Sequence, residues 1–229
     1  MRPSFRPYFD YIVRQLECPS FAPKSSEAWF DHELRLRAHQ VSLGYEPEYR
    51  FFNAADFGVP QHRCRVFIVA TRRGFSPFEF PEPTHSRTAL LQARRTGVYW
   101  ERNEVPKARR TPVPDDETES IVPVGKLPWV TVRDALHGLP KPAATENSAW
   151  MNHWQIPGAR SYSGHTGSDL DWPSKTIKVG VHGVPGGEST LIDDRGMFRY
   201  YTLHEAAHIS SFPATHSSPD ARWVSKSLN

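Results

Sequence analysis

Twenty-one prolines in 229 residues restrict where this chain can form regular structure. A proline inside a helix or a central strand removes a backbone donor and clashes with the preceding turn. Those at 77, 81, 83, 106, 112, 114, 123 and 128 predict long loops, and argue against long regular elements over roughly residues 72–170. Elsewhere periodicity is readable. Phe9, Ile12, Val13 and Leu16 recur at helical spacing within residues 5–16. A second helix is expected over residues 33–43, with Gly44 as its stop. Tyr45, Tyr49, Phe51 and Phe52 suggest a strand, and residues 53–61, with Gly58 and Pro60, must turn. Residues 65–71 (Arg-Val-Phe-Ile-Val-Ala-Thr) are apolar and β-branched enough for a buried strand. Such a pair fits an antiparallel ribbon at the edge of a larger sheet. A short helix over residues 132–139 should follow Thr131 as N-cap. Thr202-Leu-His-Glu205 is a capping box that opens a closing helix before Pro213.

The net charge of +3 and pI of 8.9 are only mildly basic, so the placement of charge matters more. Between Arg87 and Arg110 lie Arg87, Arg94, Arg95, Arg102, Lys107, Arg109 and Arg110 against Glu101 and Glu104. A basic loop there could neutralise phosphates and release counterions. The two cysteines, Cys18 and Cys64, offer neither a disulfide framework nor a zinc cluster. No apolar run approaches membrane-spanning length and no signal-peptide core is visible, so a cytoplasmic protein is expected, nucleoid-associated if bacterial. Trp129, Trp154 and Trp172 read as small-core anchors, and His85, His153, His165 and His182 as surface or loop residues.

Residues 53–70 run Asn-Ala-Ala-Asp-Phe-Gly-Val-Pro-Gln-His-Arg-Cys-Arg-Val-Phe-Ile-Val-Ala. This resembles a signature segment of DNA (cytosine-5) methyltransferases, a Gly-Val-Pro turn followed by Gln-x-Arg-x-Arg at the start of a strand. Alternate strand positions share a face, so Gln61, Arg63 and Arg65 would be displayed together, suited to a cytosine O2, a carboxylate or a phosphate. Residues 129–140, 171–187 and 199–213 are similar to later parts of the same family, leading into and closing its target-recognition region. The resemblance implies an α/β fold: part of an S-adenosylmethionine-dependent, Rossmann-like methyltransferase domain with an irregular, mostly β and loop recognition domain. It also implies double-stranded DNA as partner, with a cytosine flipped from the stack, attacked at C6 by a cysteine thiolate, assisted by a glutamate and methylated at C5 by S-adenosylmethionine.

The family's donor-binding Phe-x-Gly-x-Gly loop, its Pro-Cys nucleophile dipeptide and its Glu-Asn-Val glutamate are absent from these residues, as is its final Gly-Asn-Ala/Ser-Val-Pro segment. No cofactor-binding residue is therefore assigned. A truncated product or one subunit of a split enzyme is expected, completed by a second polypeptide that carries the donor-binding and nucleophile segments and inactive alone. A non-catalytic DNA-binding or recognition subunit is the alternative. The expected boundaries are 1–73 for the end of the catalytic domain, 74–201 for the recognition region, 202–213 for the closing helix and 214–229 for an irregular tail. Arg87, Arg94, Arg95, Arg109, Arg110, Lys175, Thr176 and Lys178 are the candidate DNA contacts.

His204-Glu-Ala-Ala-His208 matches the H-E-x-x-H pattern of zinc hydrolases, in which Glu205 would activate water. The longer pattern fails, because Ser211 and Ala214 occupy its glycine and third-histidine positions. His204 and His208 stand where the family usually carries arginines, and Glu205 has a capping task. No metal site is expected, and a hydrolase is a distant alternative.

Overall fold

The computed structural model describes residues 3–39, 44–113, 124–145, 150–161, 163, 166–177 and 189–213. The expectations for His165, Lys178, His182 and residues 214–229 fall outside these. The chain divides into two compact units: Met1–Phe52 with Arg65–Glu82, and Asn53–Cys64 with Pro83–Asn229.

In the first unit, α1 (Arg6–Glu17) carries proline in its first turn, where the missing amide would have no partner anyway. It packs beside α2 (Trp29–Ala38), which starts earlier than its apolar spacing suggests. Phe9 on α1 is buried, its ring 4.9 Å edge-on from Tyr49. His32 is fully buried between the helices and satisfied at both nitrogens, by the Tyr11 hydroxyl and the Phe21 carbonyl, each at 2.9 Å. Strands β1 (Tyr45–Asn53) and β2 (Cys64–Arg72) form a two-stranded sheet. Arg73 N–H donates to Gly44 C=O and Ala54 N–H to Arg63 C=O, so the pair is antiparallel, as expected. The expected burial of β2 does not hold: Val66 and Phe67 are exposed, as is Phe51 on β1. A ribbon of two strands cannot cover its own faces, and such hairpins are marginal without further packing.

The second unit corrects the expectation of a long loop. Residues 87–96 form α3 (Arg87–Thr96), followed by α4 (Val98–Arg102). The prolines that forbid helix elsewhere stop at Pro83 and resume at Pro106, leaving an interval long enough for both. Ser86 caps α3 by accepting from Ala89 N–H at 3.1 Å, and Leu90 and Leu91 bury its inner face. Gly97, at φ 90°, ends α3 in the left-handed region and lets the chain reverse into α4. Leu90, Tyr99, Trp100, Val105 and Trp129 form one core with Ala55, and Trp172 packs against it, as expected of two of the tryptophans. A second core gathers Val132, Leu191, Tyr201 and Ile209.

Short strands β3 (His85–Ser86) and β4 (Leu127–Pro128) pair in parallel. Helix α5 (Val132–Leu136) begins behind Thr131 in a full capping box with Asp134, and ends sooner than expected. Strands β5 (Thr190–Ile192) and β6 (Phe198–Tyr200) pair antiparallel, and α6 (Leu203–Ile209) opens with the predicted Thr202–Glu205 box. The protein is thus mixed α and β. The part expected to be mostly strand and loop holds α3, α4 and α5.

Candidate nucleic-acid interface

The segment before β2 is shaped by Asn53 and Gly58. Asn53 Oδ1 accepts from Ala55 N–H at 3.4 Å and Arg63 N–H at 3.0 Å, bending residues 54–57 into a 3-10 turn. Gly58 leaves that turn at φ 83°, where a Cβ would stand 2.7 Å from the His85 ring. The chain then runs beside residues 174–176. Ser174 N–H donates to Pro60 C=O at 2.9 Å, His62 N–H to Ser174 C=O at 2.8 Å, and the Thr176 hydroxyl to His62 C=O at 2.6 Å. Gln61 and Ser174 make an isolated parallel bridge. Ser174 is fully buried, and its hydroxyl accepts from Tyr201 at 3.1 Å while donating to Lys175 C=O at 2.8 Å.

The three motif residues occupy different settings. Gln61 precedes the strand, is only 3% exposed, and keeps a buried Oε1 without a hydrogen-bond partner. Arg63 is exposed just before β2, and Arg65, also exposed, is its second residue. The joint display expected for them is not what Gln61 shows, because its bridge to Ser174 draws it inward.

The basic segment also divides. Arg87, Arg95 and Arg109 are exposed, Arg87 with its guanidinium 5.5 Å from the Trp172 ring centre. Arg109 approaches Asp194 at 3.9 Å, a surface pair of little strength. Arg94 corrects the expectation. At 4% exposed it lies over Trp100 and Trp172, and donates to the Thr111 hydroxyl at 2.7 Å. It faces inward because the α3 side that carries Leu90 and Leu91 also carries Arg94. Arg110 Nε donates to Val105 C=O at 3.1 Å. Lys175 Nζ donates one of its three N–H groups to the Thr166 hydroxyl at 3.2 Å, and the Thr176 hydroxyl is committed to His62 C=O at 2.6 Å.

Beside β4 an open cleft of about 410 Å³ is lined by His85, Arg102, Asn103, Trp129, Asp134 and His137 among others. Arg102 and Asn103 both donate to Asp134 Oδ1, at 2.8 and 2.9 Å, so its polar wall is organised. Sequence reasoning missed two supports of the interface. One is Ser174, which carries the bridge to Gln61. The other is the Arg133–Asp171 pair at 2.6 Å, which ties α5 to the strand-like segment leading to Ser174. Both lie in stretches whose family likeness was visible, Asp171 in Asp-Trp-Pro-Ser174, but nothing in the spacing marked them as partners of residues so distant in sequence.

The glutamate of the His-Glu-x-x-His motif is removed from water activation. Glu205 is 2% exposed and accepts from Arg199 through both oxygens at 2.7 Å and from Thr202 N–H at 2.9 Å. His153, expected on the surface, is buried instead, bonded to the Thr202 hydroxyl at 2.9 Å and Pro140 C=O at 2.7 Å.

Three imidazoles make the unit sensitive to acid. Burial lowers the proton affinity of His62, with Asp56 opposing and Arg87 adding to the effect. Burial lowers His85, and burial followed by His208 and His153 lowers His204. Unfolded histidines take up protons near pH ~6.5, and these folded ones only at lower pH, so in that window the unfolded state binds more protons and stability falls as pH falls. The urea midpoint is expected to be lower at about pH 5 than at about pH 7.5. A midpoint that is flat or rises toward acid would contradict this.

Residues 38–222 match the family described as C-5 cytosine-specific DNA methylase. The chain is 46% identical over 229 residues to the type II methyltransferase M1.HphI of Haemophilus parahaemolyticus, covering 90% of the chain and 50% of that protein. It is 32% identical over 178 residues to the type II methyltransferase M.SacI of Streptomyces achromogenes, covering 74% and 38%. With M.AquIA of Picosynechococcus sp., also a type II methyltransferase, it shares 53% over 55 residues, covering 24% and 21%. The chain spans half or less of the length of these relatives.

Proposed function

Because the chain belongs to the C-5 cytosine-specific DNA methylase family, we propose that it supplies the DNA side of a cytosine-5 methyltransferase. Its substrate would be a cytosine flipped out of double-stranded DNA. The observation that carries this reading is the family match over residues 38–222, which includes the whole Gln61–Arg65 motif and the residues at 174–176 stitched to it. Arg63 and Arg65 are the proposed contacts to the extruded base or its phosphate, with Gln61 holding the turn before them. Arg87, Arg95 and Arg109 are proposed to meet the backbone. Their guanidiniums suit phosphate oxygens and carry little sequence information. The proposed division is 1–73 for the catalytic-domain part, 74–201 for recognition and 202–213 for the closing helix.

We place the S-adenosylmethionine site outside the residues described. Among them, β3 enters α3 through Ser86 and Arg87, and β6 enters α6 through Tyr201 and Thr202, neither with the glycine turn that brings a backbone close to a nucleotide-like donor. The donor and the nucleophilic cysteine are therefore proposed to come from a further polypeptide or segment. The exposed apolar side chains of the first unit, among them Phe30, Leu34, Phe51, Phe67 and Phe75, are the surface proposed to receive it. Among the described residues no helix is long and apolar enough to cross a membrane.

The test is reconstitution. The chain alone should transfer no methyl groups to DNA, and addition of a polypeptide carrying the Phe-x-Gly-x-Gly and Pro-Cys segments should restore transfer. Methylation by the chain alone would overturn the division of labour. DNA binding without transfer in the reconstituted complex would favour a purely recognitional subunit.

A further inference from the structure

His204 and His208 are one helical turn apart on α6, so their side chains leave the same face of the helix. Their rings stand 4.8 Å apart, centre to centre, inclined at 42°. The Nε2 atoms of both are buried and neither has a hydrogen-bond partner. A buried nitrogen left unpaired is unfavourable. The Trp150 ring closes one side, 5.6 Å from His204. His153 lies 5.5 Å from His204, but both its nitrogens are already engaged.

We propose that His204 and His208 form a two-imidazole binding site for a borderline transition-metal ion of the Zn²⁺, Ni²⁺ or Cu²⁺ kind. Imidazole nitrogen suits these ions, and an ion between the rings takes up both orphaned nitrogens at once. Metal binding requires the neutral ring. Among the described residues no group of three or more His, Cys, Asp or Glu side chains could hold a metal. The pair thus provides two ligands, and with Glu205 locked to Arg199 the site binds without hydrolysing. The effect of binding is to brace the closing helix. This inference stands apart from the methyltransferase reading.

Calorimetric titration of the purified chain with Zn²⁺ and with Ni²⁺ tests it. One saturable site per chain is expected. His204→Gln or His208→Gln should each weaken it by at least about tenfold, while a combined variant of His165, His182 and His216 keeps it. Affinity unchanged in either single variant, or lost in the combined one, would overturn the assignment. Should a single variant fold poorly, the wild-type chain loaded with one equivalent of Cu²⁺ decides. Its electron paramagnetic resonance spectrum should show two coordinating nitrogens, and one or none refutes the site.

Discussion

Arg65→Ala, in the chain reconstituted with the proposed donor-binding polypeptide, is expected to slow methyl transfer by about 100-fold, the usual cost of removing one aimed donor from a reacting centre. Arg65 is the second residue of β2, exposed, and on a strand whose backbone is fixed by pairing with β1. A guanidinium presents a planar fork to a carbonyl oxygen or phosphate, so Arg65→Lys should recover only part of the loss, since an ammonium keeps charge without that geometry. Affinity for duplex DNA should change little, because the exposed Arg87, Arg95 and Arg109, the proposed backbone contacts, are left in place. The informative measurement is single-turnover methyl transfer beside DNA affinity at fixed salt. Unchanged transfer in the alanine variant would remove Arg65 from the base pocket, and an equal loss in affinity and rate would make it one phosphate contact among several.

The second large effect concerns stability. Asp171→Ala should lower unfolding free energy by about 3 kcal/mol, the low end for removing one member of a buried ion pair, because Arg133 keeps Asp194 at 2.8 Å. Asp171 is buried and Arg133 nearly so, their closest atoms at 2.6 Å. Asp171 also accepts the Tyr99 hydroxyl at 2.8 Å, and burial, then the Asp171 charge, push the Tyr99 phenol well above its usual range. The alanine variant therefore leaves the Arg133 guanidinium with Asp194 alone, at 2.8 Å, and the buried Tyr99 hydroxyl with Thr131 alone, at 3.0 Å. Asp171→Asn, which keeps an acceptor and loses the charge, should fall between. Urea unfolding followed by tryptophan fluorescence measures the series, and an alanine variant within about 1 kcal/mol of wild type would show the pair to be dispensable. Three residues on is Ser174, so the same change should loosen the bridge that seats Gln61.

These two positions show what could be read in advance. Arg65 was visible because its signal is local: a glycine-containing turn, a Gln-x-Arg-x-Arg run and a β-branched stretch all lie within 18 residues. Asp171 was visible as part of a family-like stretch, but its partners Arg133 and Tyr99 are 38 and 72 residues away. Nothing in spacing announces such a pairing.

Arg94 makes the same point from the other side. By charge it belonged with Arg87 and Arg95. Placed on a helix with Leu90 and Leu91 inward, it was carried into the core and stacked on Trp100 and Trp172. The count of positive charge was right, and its destination depended on a helix that the surrounding prolines concealed.

The sequence by itself determined the family likeness, the β1–turn–β2 unit, the caps of α5 and α6, and the absence of donor-loop and Pro-Cys motifs. Those signals act over a few residues, through backbone sterics, side-chain caps and alternation. Only the tertiary structure decided that Gln61 turns inward to Ser174, that Glu205 is held by Arg199, and that two histidines are left with unpaired nitrogens. Each of those outcomes rests on which distant groups come within hydrogen-bond reach, and that is settled when the cores close around them.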